Sequence, residues 1–143
     1  MVRMVVETEA APAPALPLAG EGRDLLALLA FGMAEPLGSQ HPLTQAVRRL
    51  RRVHRIDVAP LLTYYDRAVE DAEDAANLEA AWQDAASLRG CVQAVRAAIA
   101  ADPALPPLLA DYPALAASLA DLEMRAADAV KAGVRIRLSF LLD

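Results

Sequence analysis

The residue types best able to do chemistry in this chain are concentrated between positions 48 and 55, in the sequence RRLRRVHR. Guanidinium groups hold phosphate and carboxylate groups, and an imidazole lies among them. On one helix, the arginines could follow the backbone of a nucleic acid, and added salt would weaken that binding steeply. The candidate binding residues are Arg48, Arg49, Arg51, Arg52 and Arg55.

An intramolecular partner for the same arginines is also present in the sequence. Residues 66–84 carry seven acidic side chains against a single arginine, Arg67. A helical hairpin would place this acidic stretch beside the basic helix, where each exposed ion pair contributes only about 0–1 kcal/mol. We favour this pairing over phosphate binding, and an acidic protein partner is the third interpretation.

Arg49 and His54 are separated by four residues, a spacing that resembles the Arg-x4–6-His signature of the HEPN-type helical ribonucleases. In that family the arginine and histidine lie on one helix, act across a dimer interface and cleave RNA without a metal. The resemblance covers eight residues, and Leu50 follows Arg49 where the family often has a polar residue. It implies a helical ribonuclease centred on Arg49 and His54, as a remote alternative to a binding role.

Other reactive residues form no recognisable site. The carboxylates between positions 70 and 74 are spaced like metal ligands on a helix, but the two histidines, His41 and His54, are distant from them in sequence. A di-iron bundle needs Glu-x-x-His pairs, and a zinc site needs more histidine and cysteine than this chain has. The sequence therefore predicts no catalytic residue, no metal and no cofactor, and it favours a protein that is not an enzyme.

The composition indicates helices. Of 143 residues, 33 are Ala and 22 are Leu, while aromatic residues make up only 4%. Such a chain is rich in helix formers and poor in the residues that strands favour. The net charge of −5 argues against a general nucleic-acid binder. The longest apolar run, 25–34, is shorter than a membrane span, so we expect a cytoplasmic protein without membrane contact.

The predicted fold is all-α, an antiparallel bundle of three to five helices. Residues 1–22, with Pro12, Pro14 and Pro17, are expected to form a flexible arm, residues 23–133 the bundle and residues 134–143 a strand-like tail. Helices are expected over 23–34, from Pro42, over about 57–101 and over 113–132. The third would be a long central helix, so a kink or break is expected near 74–78 or at Gly90.

The tail has the alternation of a short strand. Apolar residues at 134, 136, 138 and 140 alternate with Arg135, Arg137 and Ser139. A helical spacing of Val134, Leu138 and Leu141 also fits, so both interpretations stand. Because a lone strand is unstable, a strand here would need residues 1–6, a second subunit or a partner protein beside it.

The first predicted helix and the tail carry more apolar surface than a short bundle covers. The expected interaction surface consists of Leu25, Leu29, Phe31, Val134, Ile136, Leu138 and Phe140. The leading functional hypothesis is a non-enzymatic subunit or adaptor that acts through protein–protein contacts, in an oligomer or larger assembly. The alternative is a small nucleic-acid-binding subunit of a ribonucleoprotein that uses the arginine helix.

Overall fold

A five-stranded mixed sheet joins the two ends of the chain in the computed structural model, which describes residues 2–9, 16–34, 38 and 40–142. Its strand order is β2-β1-β5-β3, and β4 also pairs with β5. Only the pairing of β3 with β5 is parallel. The strands are β1 (Val2–Thr8), β2 (Leu16–Pro17), β3 (Tyr64–Asp66), β4 (Trp82–Gln83) and β5 (Ile136–Leu142).

The tail is a strand, and the N-terminal residues lie beside it. Strand β1 pairs with the whole of β5 in antiparallel register, with Met4 opposite Phe140 and Val6 opposite Leu138. Residues that alternate along a strand share one face of the sheet, and Met4, Val6 and Leu138 on this face belong to the hydrophobic core. Residues 10–15, which include Pro12 and Pro14 of the expected arm, lie outside the described residues.

The prediction of an all-α bundle was wrong, because helices and a sheet share one core. The composition indicated helices because Ala and Leu are so numerous. The strands contribute few residues to it, since β2, β3 and β4 have only two or three residues each. The two longest strands also come from opposite ends of the chain, and no local pattern marks a pairing over that separation.

Helices form the rest of the core. The first helix, α1, continues into a π-helical segment at Leu28–Ala34. The helices are α1 (Arg23–Ala27), α2 (Pro42–Arg52), α3 (Ala59–Leu62), α4 (Ala72–Ala80), α5 (Ala85–Ala101), α6 (Leu105–Leu108) and α7 (Leu115–Ala132).

The expected long central helix is broken into three, with β3 and β4 between the pieces. Two aspartates start new helices: Asp71 accepts a hydrogen bond from the Asp74 amide at 2.8 Å, and Asp84 accepts one from the Ser87 amide at 3.1 Å. Such side chains satisfy amide groups that a helix start leaves unpaired. Residues 74–78 lie inside α4, and α5 runs through Gly90 without interruption. The breaks therefore lie at 63–71 and 81–84, and both expected positions were wrong.

Candidate functional site

Helix α2 places the arginines of 48–55 at one edge of the molecule. Its start is capped by His41, whose Nδ1 accepts a hydrogen bond from the Leu43 amide at 3.1 Å, and Pro42 occupies the first turn. Its buried face contains Leu43, Val47 and Leu50. Because that face takes part in the core, most of the arginines are directed to the remaining circumference of the helix.

Arg49 and His54 converge on one buried carboxylate, that of Asp102. The Arg49 Nε lies 2.7 Å from Asp102 Oδ2, and the His54 Nε2 lies 2.8 Å from the same oxygen. The other oxygen, Oδ1, accepts a hydrogen bond from the Ala104 amide at 2.9 Å. The hydrogen bonds from Arg49 and His54 hold the pKa of Asp102 well below its usual range. These contacts tie the end of α2 to the residues after α5.

The two residues of the ribonuclease-like signature therefore share a structural partner. Both side chains bond to the carboxylate of Asp102, whose side chain is only 6% exposed. The Asp102 contact explains the Arg-x4-His spacing by packing alone, since positions 49 and 54 both reach one carboxylate at the end of α5.

The remaining arginines of this set are exposed and have no ion pair or hydrogen bond within the described part of the chain. They are Arg48, Arg51, Arg52 and Arg55. None of the five arginines of 48–55 pairs with the acids of 66–84 among those residues, and Arg49 pairs with Asp102 instead. Among the described residues the intramolecular pairing favoured from the sequence is thus not formed. Helix α4 packs against β3 and β4, whereas α2 packs against the π-helical segment and α6.

Three of these unpaired arginines surround a shallow depression between α2 and the π-helical segment. Arg48, Arg51 and Arg52 line it together with Gly32, and its volume is about 210 Å³. Gly32 permits this close crossing, because a Cβ atom there would lie 2.9 Å from Cγ2 of Val47. The depression therefore combines a backbone wall with a cationic rim.

The chain direction changes sharply after α2. Arg55 adopts φ of +53°, a left-handed backbone conformation that is unfavourable for residues other than glycine. The turn allows the Ile56 amide to reach the Leu50 carbonyl at 3.1 Å. This closes the end of α2 and leads the chain to α3.

A different set of arginines lies on the sheet face opposite Met4, Val6 and Leu138, where Arg137 also donates to the Leu78 carbonyl of α4 at 3.2 Å. Arg137 on β5 donates from Nη2 and Nε to Glu7 Oε1, at 2.6 and 2.8 Å, and Arg67 also donates to that oxygen. The guanidinium of Arg137 stacks over the Trp82 ring at 4.3 Å. Burial by itself would raise the pKa of Glu7, but the bonds and charges of Arg67 and Arg137 outweigh it and hold this pKa below its usual range.

An apolar groove lies where the sheet meets α1 and the π-helical segment. Its volume is about 420 Å³, and among the described residues that line it only Arg23 is charged. Phe31 and Leu142 at the groove are exposed by 52% and 65%. The lining residues are Val2, Arg23, Leu26, Ala27, Ala30, Phe31, Tyr64, Phe140 and Leu142.

The residues of the expected interaction surface divide between the core and this groove. Phe31 and Phe140 line the groove, and Val134 is partly buried against the core. Leu142 and Val2 also line the groove and were not predicted from the sequence, because only the pairing of β1 with β5 brings the two chain ends together. The expected surface residues that are fully buried inside this chain are Leu25, Leu29, Ile136 and Leu138.

Other reactive groups have structural surroundings. Within the described ranges, no three His, Cys, Asp or Glu residues are arranged to hold a metal ion. Asp71 and Asp74 of the acidic cluster bind backbone amides at the start of α4. Burial raises the pKa of the Cys91 thiol to about 11, so this thiol stays protonated at neutral pH.

The chain matches no known protein-family model, no curated protein and no solved structure. Among the described residues, no helix has both the length and the apolar character needed to cross a bilayer. The groove and the arginine-lined depression are therefore interpreted from their own geometry.

Proposed function

We propose that this protein is a non-enzymatic subunit that acts through protein–protein contacts, and that the apolar groove is its contact surface with a second copy of the chain. The observation that supports this proposal is the exposure of Phe31 and Leu142 beside a groove lined almost entirely by apolar side chains. Large apolar groups clustered at a concave surface are typical of interaction sites.

A second copy fits the groove because this surface has both an exposed side chain, Phe31, and a cavity that could receive one. In a two-fold dimer, the same patch of each subunit faces its equivalent. Phe31 of one copy would enter the groove of the other, and the reverse contact would follow by symmetry. Burying a phenylalanine side chain contributes about 1.5–3 kcal/mol, and the symmetric contact uses it twice.

The test is analytical ultracentrifugation of the full chain over a wide concentration range, with Phe31→Ser as the variant. The expected result is a concentration-dependent dimer whose dissociation constant rises on the order of 100-fold in the variant. Phe31 is largely exposed, so the thermal midpoint of the monomer should stay close to that of the original chain.

Met124→Ser is the matched control, because Met124 is 58% exposed and lies on α7, away from the groove. The control should dimerise like the original chain. A chain that stays monomeric at every concentration, or equal weakening by the two substitutions, would contradict the proposal.

A further inference from the structure

We propose that Arg48, Arg51 and Arg52 form a binding site for a compact anion that carries two or more phosphate groups. The site lies in the depression between α2 and the π-helical segment. It is separate from the apolar groove, with which it shares no lining residue, and it does not depend on the proposed dimer.

The charge of Arg48, Arg51 and Arg52 is not compensated by any acidic group among the described residues. The three arginines follow one another at i, i+3 and i+4, so their side chains are neighbours on the helix surface. Within the described ranges none of them has an acidic partner. This is unusual in a chain with an overall charge of −5, and an anion bound between the three groups would relieve their mutual repulsion.

The surface between the arginines and the π-helical segment is concave. The arginines do not stand on a flat helix surface, since the π-helical segment closes one side of the depression at Gly32. That wall can be so close only because the residue has no side chain, as a Cβ atom there would lie 3.2 Å from the Leu43 carbonyl oxygen. π-helical turns are rare and are frequent at functional sites. A concave surface of about 210 Å³ suits a compact ligand.

The guanidinium group also has a hydrogen-bonding geometry that suits phosphate oxygens. Its planar fork donates two parallel hydrogen bonds to the oxygens of a phosphate or carboxylate. A single carboxylate carries one negative charge and can neutralise only one of the three guanidinium groups. Three forks around one depression need an anion with several oxygens and several negative charges, and a diphosphate or triphosphate group meets both requirements.

A long nucleic acid fits this site less well. A polynucleotide contacts a protein along an extended basic surface, whereas Arg49 in the same cluster is already neutralised by Asp102. The overall negative charge of the molecule would also oppose an extended polyanion. Nucleic-acid binding is therefore the competing outcome of the test.

The experiment is isothermal titration calorimetry of the full chain at low salt with sodium tripolyphosphate, pyrophosphate, inorganic phosphate and a single-stranded RNA oligonucleotide. The variant replaces all three arginines: Arg48→Gln, Arg51→Gln and Arg52→Gln. Affinity for tripolyphosphate should fall by about tenfold or more, and affinity should decrease in the order tripolyphosphate, pyrophosphate, phosphate.

The matched control removes the same charge elsewhere, by Arg96→Gln, Lys131→Gln and Arg135→Gln, which are all exposed positions. It should bind tripolyphosphate like the original chain. A third variant with lysine at positions 48, 51 and 52 retains the charge but loses the forks, so its affinity should lie between the other two.

Three results would overturn the proposal. The original chain does not bind tripolyphosphate, or the control loses as much affinity as the variant, or the RNA binds at least about tenfold more tightly than tripolyphosphate with a steep salt dependence. Thermal unfolding of each variant checks the fold. It should change little for the substitutions at 48, 51 and 52, which have no partners in the described structure, and little for the control, because its ion pairs Arg96–Glu123 and Arg135–Glu9 are exposed.

Discussion

Arginines beside Glu7 on the sheet and arginines at the end of α2 are the same residue type in opposite electrostatic situations. Arg67 and Arg137 share the carboxylate of Glu7, and the side chain of Arg137 is only 12% exposed. Arg48, Arg51 and Arg52 are exposed and have no acidic partner in the described structure. The first set helps to hold the fold, and the second set remains available to a ligand.

The difference arises from which element lies beside each arginine. Glu7 stands directly opposite Arg137 in the β1–β5 register, so strand pairing brings the opposite charges together. Beside the depression, α2 faces the π-helical segment at Gly32, which has no side chain to offer. An abundance of arginine in a sequence therefore says little about binding until the neighbours of each one are known.

The largest expected effect is on the paired side. Glu7→Gln leaves two arginines beside a neutral amide, and one of them is mostly buried. Loss of a buried charged partner destabilises a protein strongly, so we expect the free energy of unfolding to fall by about 2–4 kcal/mol. Urea denaturation followed by circular dichroism measures it, and an unchanged midpoint would show that the sheet arginines need no partner.

The ion pairs of Glu7 with Arg67 and Arg137 should also make the stability of the fold depend on pH. The pKa of Glu7 is lowered in the folded chain, so its stabilising contribution is complete above the pKa of the unfolded state. That contribution is lost as the pH falls through the folded pKa. The expected result is a smaller loss of stability on acidification in Glu7→Gln than in the original chain, measured as urea midpoints between neutral and acidic pH.

The third prediction concerns Arg49, the arginine of 48–55 that is paired with Asp102. Asp102→Asn removes the charge shared by Arg49 and His54. We expect a lower thermal midpoint but a smaller change than for Glu7→Gln, since the Arg49 side chain is 38% exposed against 12% for Arg137. Differential scanning calorimetry compares the two variants, and a larger loss for Asp102→Asn would reverse the order of the two clusters.

The fourth prediction concerns the left-handed backbone conformation of Arg55, which follows the end of α2. Arg55→Gly removes a side chain from a left-handed position, and glycine adopts that conformation without steric cost. The expected gain in the free energy of unfolding is about 0.5–1 kcal/mol, measured by urea denaturation. Tripolyphosphate binding should stay unchanged, because Arg55 does not line the depression.

The smallest effect is expected for Glu9→Gln at the edge of the sheet. Its partner Arg135 is 53% exposed at the side chain, and exposed ion pairs are weakened by water and salt. The urea midpoint should not change measurably. A clear decrease would show that pairing on this face matters even where solvent reaches it, and the contrast between buried and exposed pairs would fail.

Local sequence patterns predicted several elements correctly. Pro42 and the apolar spacing of Leu43, Val47 and Leu50 indicated α2, and the alternation after Val134 indicated β5 as one of two interpretations of the tail, the other being a helix. These succeed because helix and strand periods are properties of a few adjacent residues. The long central helix failed for the converse reason, since its Ala-rich stripe continues in phase across Asp71 and Asp84, and we did not weigh these aspartates as helix starts.

The arginines of 48–55 and the apolar tail were identified from sequence alone, because residue type and spacing are visible there. The residues that contact them in the fold could not be identified in this way. The partner of Arg49 lies 53 positions away at Asp102, and the partner of β5 lies at the other end of the chain. Such contacts depend on how elements pack, so only the tertiary structure decided which arginines are neutralised, which apolar residues are buried and where a groove remains open.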